Sequence, residues 1–278
     1  MSAPTGLVDP PKVVKQSAGL LQAFSPNKIL SRTAMNIIIA VQVAIFLLLW
    51  TFSAFAVLPK PLEVLNSIRE LWFKQGLGQE LITSVSLNLE AVAISAFISI
   101  GLAYLTVMPF FRPLVNALGK GRFLSMAGFT LVFTLIVGGG HPLKLSLLVF
   151  AMTVFFVTSM AAVVSEIPKA EFDYARTLRM SEWRVVWEVV VLGTADKAFE
   201  VLRQNAAIGW MMLTLVEGIY RGEGGIGALL LNQQKFFKMS EVFGIQIIIL
   251  IVGLFQDVII GFIRRQVCPY AVLTLERK

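Results

Sequence analysis

Long apolar runs separated by short polar breaks set the plan of this chain. Ala34–Val57 carries no charge over 24 residues, enough to cross a hydrocarbon core of roughly 30 Å at about 1.5 Å per residue. Leu58-Pro59-Lys60-Pro61 ends it, because proline cannot continue a helix. Pro61–Glu80 mixes charges with Leu62, Leu65, Ile68, Leu71 and Trp72 at helical spacing, which predicts an interfacial helix. Leu81–Met108 predicts a second span, with Asn88 and Glu90 inside it and a stop at Pro109, Arg112 and Pro113. Phe123–Val137 is a short third span ending in Gly138-Gly139-Gly140-His141-Pro142, and Leu143–Val164 follows at once, so these two predict a tight hairpin. A polar stretch leads to a fifth span, Ala198–Val216; a glycine-rich segment Gly218–Gly227 and a sixth span, Phe243–Ile263, complete the pattern. The expected fold is an all-α polytopic membrane protein of about six transmembrane helices over residues 34–265, flanked by an N-terminal segment, 1–33, and a tail, 266–278.

Composition agrees with that plan. Hydrophobic residues make up 56% of the chain and charged residues only 15%, against about a quarter charged in soluble domains. The net charge of +7 then calls for no nucleic-acid partner, because Lys and Arg collect at the cytoplasmic ends of spans. One face receives Lys12, Lys15, Lys28, Arg32, Arg112, Lys120, Arg122, Lys169, Arg176, Arg179, Arg184, Lys197, Arg264, Arg265, Arg277 and Lys278, sixteen cations, and the other face seven. This predicts both termini in the cytoplasm. Residues 1–16 have no basic stretch running directly into an apolar core, so no cleaved signal peptide is expected. A single cysteine, Cys268, and a single histidine, His141, offer neither an internal disulfide nor a Cys/His metal cluster. No His-Glu-x-x-His, no Gly-x-Ser-x-Gly and no Gly-x-x-x-x-Gly-Lys-Ser/Thr occurs, so enzymatic chemistry by those devices, ATP hydrolysis included, is not expected of this polypeptide.

The segment of about residues 165–197 is longer than most helix connections and is ordered in character. Pro168 and Glu171 mark a helix start, and Phe172, Ala175, Leu178, Trp183, Val186, Trp187 and Val190 recur at helical spacing between Asp173, Arg176, Arg179, Glu182, Arg184 and Glu188. Such an amphipathic helix pair either docks a partner or lies on the membrane.

Asp173-Tyr174-Ala175-Arg176-Thr177-Leu178-Arg179-Met180-Ser181, followed by Trp183 through Leu192, resembles the "EAA" loop of binding-protein-dependent ABC importer permeases. Leu58-Pro59-Lys60-Pro61 and Glu217 through Gly222-Glu223-Gly224-Gly225-Ile226-Gly227 resemble two further landmarks of the nitrate/sulfonate/taurine subgroup, in the same order along the chain. The resemblance implies a type I importer permease of the bacterial inner membrane. Its loop would be a cytoplasmic coupling helix seated in a groove of an ATPase subunit, with Asp173, Arg176, Thr177, Arg179, Glu182, Trp183 and Arg184 at the contact. It also implies a second permease subunit, an external solute-binding protein, surrounding lipid, and no cofactor on this chain, ATP being bound by the partner. Three positions depart from the family pattern: Asp173 stands for Glu, Arg179 for Gly and Gly193 for Pro. An Arg at the family's bend must take a strained conformation or let the helix run on.

Polar groups inside spans face protein or a water-filled path. Glu90, Arg203, Gln204, Asn205, Gln246 and Asp257 are of this kind. A pathway between the third, fourth and fifth spans would be lined by Phe133, Thr134, Phe156, Ser159, Asn205 and Trp210, the polar groups suiting an anion such as nitrate, a sulfonate or bicarbonate and the rings an aromatic solute. The competing classes are an ion-gradient-driven secondary transporter, against which no inverted repeat is visible, and a membrane scaffold without an ATPase.

Overall fold

The structure, a computed structural model, describes residues 31–53, 55 and 57–269, and expectations for residues 1–30 and 270–278 fall outside it. Every regular element among the described residues is a helix. By internal packing the chain divides into Met1–Pro61 and Leu62–Lys278. The first unit contains α1 (Arg32–Thr51), whose N-terminus is capped by Ser31, its hydroxyl accepting from the Ala34 N–H at 3.2 Å. The helix stops short of Val57, and Trp50 Nε1 donates to the Pro59 carbonyl at 2.9 Å, which holds the connection against the helix end.

The second unit runs through α2 (Pro61–Lys74), α3 (Leu77–Leu105), α4 (Arg112–Lys120), α5 (Met126–Val137), α6 (His141–Ser165), α7 (Lys169–Thr177), α8 (Glu182–Val185), a π-helical stretch Val186–Leu192, α9 (Ala195–Ile219), α10 (Ile226–Lys235) and α11 (Met239–Val267). The expected interfacial helix Pro61–Glu80 is divided at Gly76, and its last turn belongs to α3. α2 buries Val64, Ser67 and Leu71 along one side, and Lys74 pairs with Glu70 at 2.7 Å.

Among the described residues, α1, α3, α6 and α11 are each long and apolar enough to cross a membrane; the bent pair Pro109–Phe123 and Met126–Val137 makes a fifth if taken as one span. This defines a membrane-embedded helical protein. The third apolar run is helical over only 12 residues, roughly 18 Å of rise, and the segment before it turns through 115°. The fifth run is helical over 25 residues; it falls outside the apolar set because Asp196, Lys197, Glu200, Arg203 and Glu217 lie in the helix, not because it is short.

The centre of the unit is the packing of α3, α6, α9 and α11 through Leu87, Ala91, Leu148, Met152, Ala206, Leu213 and Ile260. Lipid supplies no hydrophobic drive for helix association, so close packing and interhelical hydrogen bonds carry it. Here Asn88 Nδ2 and Trp210 Nε1 both donate to Gln256 Oε1, at 3.0 and 2.7 Å, joining α3, α9 and α11.

At one end, the glycine-rich turn between α9 and α10 is held by buried polar side chains. Glu217 and Ser84 are fully buried, and Lys144 is 1% exposed. Ser84 Oγ donates to Glu217 Oε1 at 2.6 Å and accepts from the Ile226 N–H at 2.8 Å; Glu217 Oε2 accepts from the Gly227 N–H at 2.8 Å. Glu80 accepts from the Gly225 N–H, and Lys144 Nζ donates to the Gly224 carbonyl at 2.7 Å. The expected hairpin between α5 and α6 is present, with Tyr220 Oη accepting from the Gly140 N–H at 2.9 Å.

A Cβ at Gly227 would lie 2.5 Å from the Thr214 carbonyl oxygen and 2.8 Å from Thr214 Cα, both backbone atoms that cannot yield. Gly227→Ala should therefore lower unfolding stability in detergent by about 1–3 kcal/mol. Gly101→Ala, in α3 with open space around it, should leave stability unchanged or raise it by about 0.5–1 kcal/mol. Thermal unfolding of the two purified variants checks the contrast.

Candidate functional site

The ordered loop between α6 and α9 opens with Pro168 in extended geometry (φ −62°, ψ 138°) ahead of α7, a start that needs no N–H from the proline. α7 ends in two hydrogen bonds, Met180 N–H to the Ala175 carbonyl at 3.4 Å and Arg179 N–H to the Arg176 carbonyl at 2.9 Å. Those are the bonds of a Schellman motif, which requires a left-handed residue just beyond the helix. Arg179 is that residue, with φ at +56°. The bend usually made by glycine is thus made by arginine, at a cost of about 1–2 kcal/mol. Of the two outcomes open to Arg179, the structure has the strained one.

Arg176 fastens the bend. Its Nε and Nη2 reach Glu182 Oε1 and Oε2 at 3.0 and 3.1 Å, a two-pronged pair, and its Nη1 reaches Asp173 Oδ1 at 3.2 Å. The hydrogen bonds that Arg176 donates hold the Glu182 carboxyl below its ordinary range, and the same bonds raise Arg176. Thr177 Oγ1 donates to the Tyr174 carbonyl at 2.6 Å, and Arg184 stands 3.9 Å from Glu188. Asp173, Arg176 and Glu182, read from the sequence as contact residues, are therefore engaged with one another across the turn, while the Arg179 and Arg184 side chains are exposed.

Beyond α8 the helix widens to π geometry, and the Gly193 N–H donates to the Glu188 carbonyl five residues back at 3.1 Å. A side chain at Gly193 would run into the Val189 carbonyl oxygen, and a proline there would lose the donated bond. The widened turn also shifts the phase of the apolar pattern. Ala175, Val185 and Val190 are buried, whereas Tyr174, Leu178, Trp183 and Trp187 stand exposed, Trp183 at 73%. Periodicity places both tryptophans on the face shared with Val190; an α-helical count cannot register the π turn that separates them.

The loop is anchored to the helical body at its far end, where Thr194 is buried, donates to the Val190 carbonyl at 2.6 Å and lies 3.4 Å from the Tyr104 hydroxyl of α3.

The residues expected along a pathway are not gathered in one place. Phe156 is fully buried in the packing of α3, α6 and α9, with Met160 and Val201. Trp210 and Asn205 are buried farther along α9, Trp210 bonded to Gln256 and Asn205 Nδ2 to the Val201 carbonyl at 2.9 Å. Phe133 packs beside Phe129 and Phe150; Thr134 is exposed and donates to the Thr130 carbonyl at 2.7 Å. Ser159 borders a cavity of about 350 Å³, shared with Gln204 and Arg264. Among the other polar groups singled out, Arg203 pairs with Glu200 at 2.7 Å and with Asp257 at 3.4 Å, Glu200 also meeting Arg264 at 2.6 Å, and Glu90 stands 3.5 Å from His141 Nε2. The bond from Ser84 to Glu217 and the part played by Gln256 escaped the sequence reading, which has Glu217 only as the start of a glycine-rich landmark; an acid at the end of an apolar run, just before consecutive glycines, was the available signal.

No protein-family model matches the chain, and no curated protein matches it.

Because Glu182 is held below its ordinary value of 4.5 by Arg176, the clasp contributes fully above that range and is lost as pH falls through the lowered value. Protection of the amides across residues 174–186, taken relative to their intrinsic exchange rates, should fall on acidification below about pH 4.5, and Glu182→Gln should remove that pH-dependent loss of protection. Arg176→Glu alone should loosen the same stretch, and the double exchange Arg176→Glu with Glu182→Arg should restore part of the protection. Restoration is incomplete because Asp173 then faces a second carboxylate. Unchanged exchange in the single variant would show that the clasp does not hold the turn.

Proposed function

We propose that the chain is the membrane-spanning subunit of an ATP-driven, ABC-type importer for a small solute, and that the α7–α8 loop is its coupling element. The observation that carries this reading is the shape of the loop. Two short helices meet at a fixed left-handed turn, clasped by Arg176 and Glu182, and display Tyr174, Leu178, Trp183 and Trp187 outward. Four large apolar side chains on an otherwise charged loop form the kind of rigid aromatic surface that docks a partner. A clasped turn suits a lever: force received at the exposed side chains passes to α9 through Val190 and Thr194 without being absorbed by the bend.

On this reading six crossings are made by α1, α3, the bent α4–α5 pair, α6, α9 and α11. α9 crosses with its charges at its ends. Asp196, Lys197, Glu200 and Arg203 lie in its first turns, where Glu200 and Asp257 offset Arg203 and Arg264, and Glu217 sits at the opposite end. Gln204–Val216 between them carries no charge. The positive-inside count supports a cytoplasmic side for the loop and both termini, and the resemblance supports a bacterial inner membrane. Nucleotide is bound by separate ATPase subunits, because this chain has no phosphate-binding loop. A second permease subunit completes the pathway, and an external binding protein delivers the solute, with nitrate, sulfonates such as taurine, and bicarbonate as the candidates that the resemblance supplies.

The test is co-purification of tagged chain from its native membrane, wild type beside Trp183→Ala with Trp187→Ala. A nucleotide-hydrolysing polypeptide retained by wild type and lost from the variant, at unchanged yield of folded chain, supports the coupling role. Absence of any such polypeptide from wild type would contradict the importer reading and favour an ion-driven transporter or a scaffold.

A further inference from the structure

A second site, on the side of the α7–α8 loop away from its exposed tryptophans, is built around α4. This helix and the turns that flank it are amphipathic. Val115 is buried on the inner side, while Phe110 and Phe123 at the two ends are 82% and 79% exposed and Leu114 and Leu124 are exposed between and beyond them. The segment Pro109–Phe123 lies at 115° to α5. If α5 runs through the membrane, this segment therefore lies closer to the membrane plane than to its normal. Between α4, the end of α6 and the α7–α8 loop is a cavity of about 800 Å³, in the size range of small-ligand pockets, roughly 300–1,000 Å³.

The charge of that cavity is one-sided. Arg112, Lys120 and Arg122 line it, and residues 109–123 contain no acid. Among the described residues none of the three cations forms an ion pair. Arg112 spends only its Nε, on the Thr106 carbonyl at 2.9 Å, and Arg122 lies over the Phe123 ring at 5.0 Å, its guanidinium edge left for another partner. The carboxylate at the rim is Glu182, and Arg176 already holds it. Thr158 and Ser165 also line it, each hydroxyl donating to a carbonyl of its own helix, Val154 at 2.9 Å and Ala162 at 2.8 Å.

We propose that this cavity binds the phosphodiester headgroup of an anionic phospholipid. Three cations without an ion pair around one pocket match a phosphate. Flanking exposed Phe and Leu side chains match acyl chains, which a free anion would not use. Basic pockets beside membrane helices take anionic headgroups for the same reason. The inference rests on the chain being membrane-embedded and does not depend on the importer reading. Since Arg176 and Glu182 line the same cavity, a phosphate seated there lies beside the clasp that shapes the loop.

The test uses the full chain in nanodiscs of phosphatidylcholine containing graded phosphatidylglycerol, with lipid retained after extraction read by native mass spectrometry. The expected result is preferential retention of phosphatidylglycerol by wild type. Retention should fall at least tenfold in Arg112→Gln/Lys120→Gln/Arg122→Gln and about threefold in Lys120→Gln alone. The charge-keeping variant Arg112→Lys/Arg122→Lys and the remote control Lys197→Gln/Arg265→Gln should both hold near the wild-type level. Should the triple variant not fold, Lys120→Gln against the remote control decides the matter. Equal retention of the two lipids by wild type, or an equal fall in the remote control, would overturn the proposal. Displacement of the lipid by millimolar inorganic phosphate would assign the cavity to a soluble anion and overturn it as well.

Discussion

A backbone N–H or C=O turned toward hydrocarbon without a partner costs several kcal/mol, and the breaks in this chain's helices are built around that constraint. The turn from α9 to α10 is the clearest case. Three successive amides, those of Gly225, Ile226 and Gly227, are taken by Glu80, Ser84 and Glu217, and the Gly224 carbonyl is taken by Lys144. Four side chains from α3, α6 and α9 thus do for an irregular turn what a helix does for itself. They also bring together the ends of three helices that the apolar clusters alone would not fix in register.

The same requirement shapes the loop before α9. Where α7 stops, its last carbonyls are closed by the Schellman bonds, and those bonds force Arg179 into the left-handed region. Where the chain re-enters the helical body, the π turn closes with the Gly193 N–H on the Glu188 carbonyl, and Trp183 and Trp187 stand away from the face that buries Val190. The strain at Arg179 and the widened turn are two consequences of keeping a bent segment fully hydrogen-bonded. The result is a stiff, outward-facing aromatic surface.

Much of this architecture was legible in the sequence. Hydropathy located each apolar run that the structure makes helical, and Pro59, Pro109 and the Gly138–Gly140 run marked their ends. The helix pair after α6 followed from Pro168, Glu171 and the spacing of Phe172, Ala175 and Leu178. What escaped was geometric. Asp173, Arg176 and Glu182 carry the right charges for a docking face, but only the turn at Arg179 brings them within reach of one another. Trp187 matches Val190 in a 3.6-residue count, and a π turn is invisible to that count. Lys144 and Glu217 look like groups at the mouths of spans; their burial depends on glycines from a distant turn closing over them. Of the pathway residues, Phe156 and Trp210 are packing residues within this one chain, a role that aromatic spacing does not distinguish from a channel lining.

The central claim is that the clasped α7–α8 loop presents its aromatic side chains to a nucleotide-hydrolysing partner. Site-specific photo-crosslinking from position 183 in native membranes tests it most directly. The account predicts a discrete adduct with a soluble ATPase polypeptide, weakened when Arg176→Glu opens the clasp. Adducts with lipid alone, unchanged by that substitution, would contradict it and would make the loop a membrane-surface element.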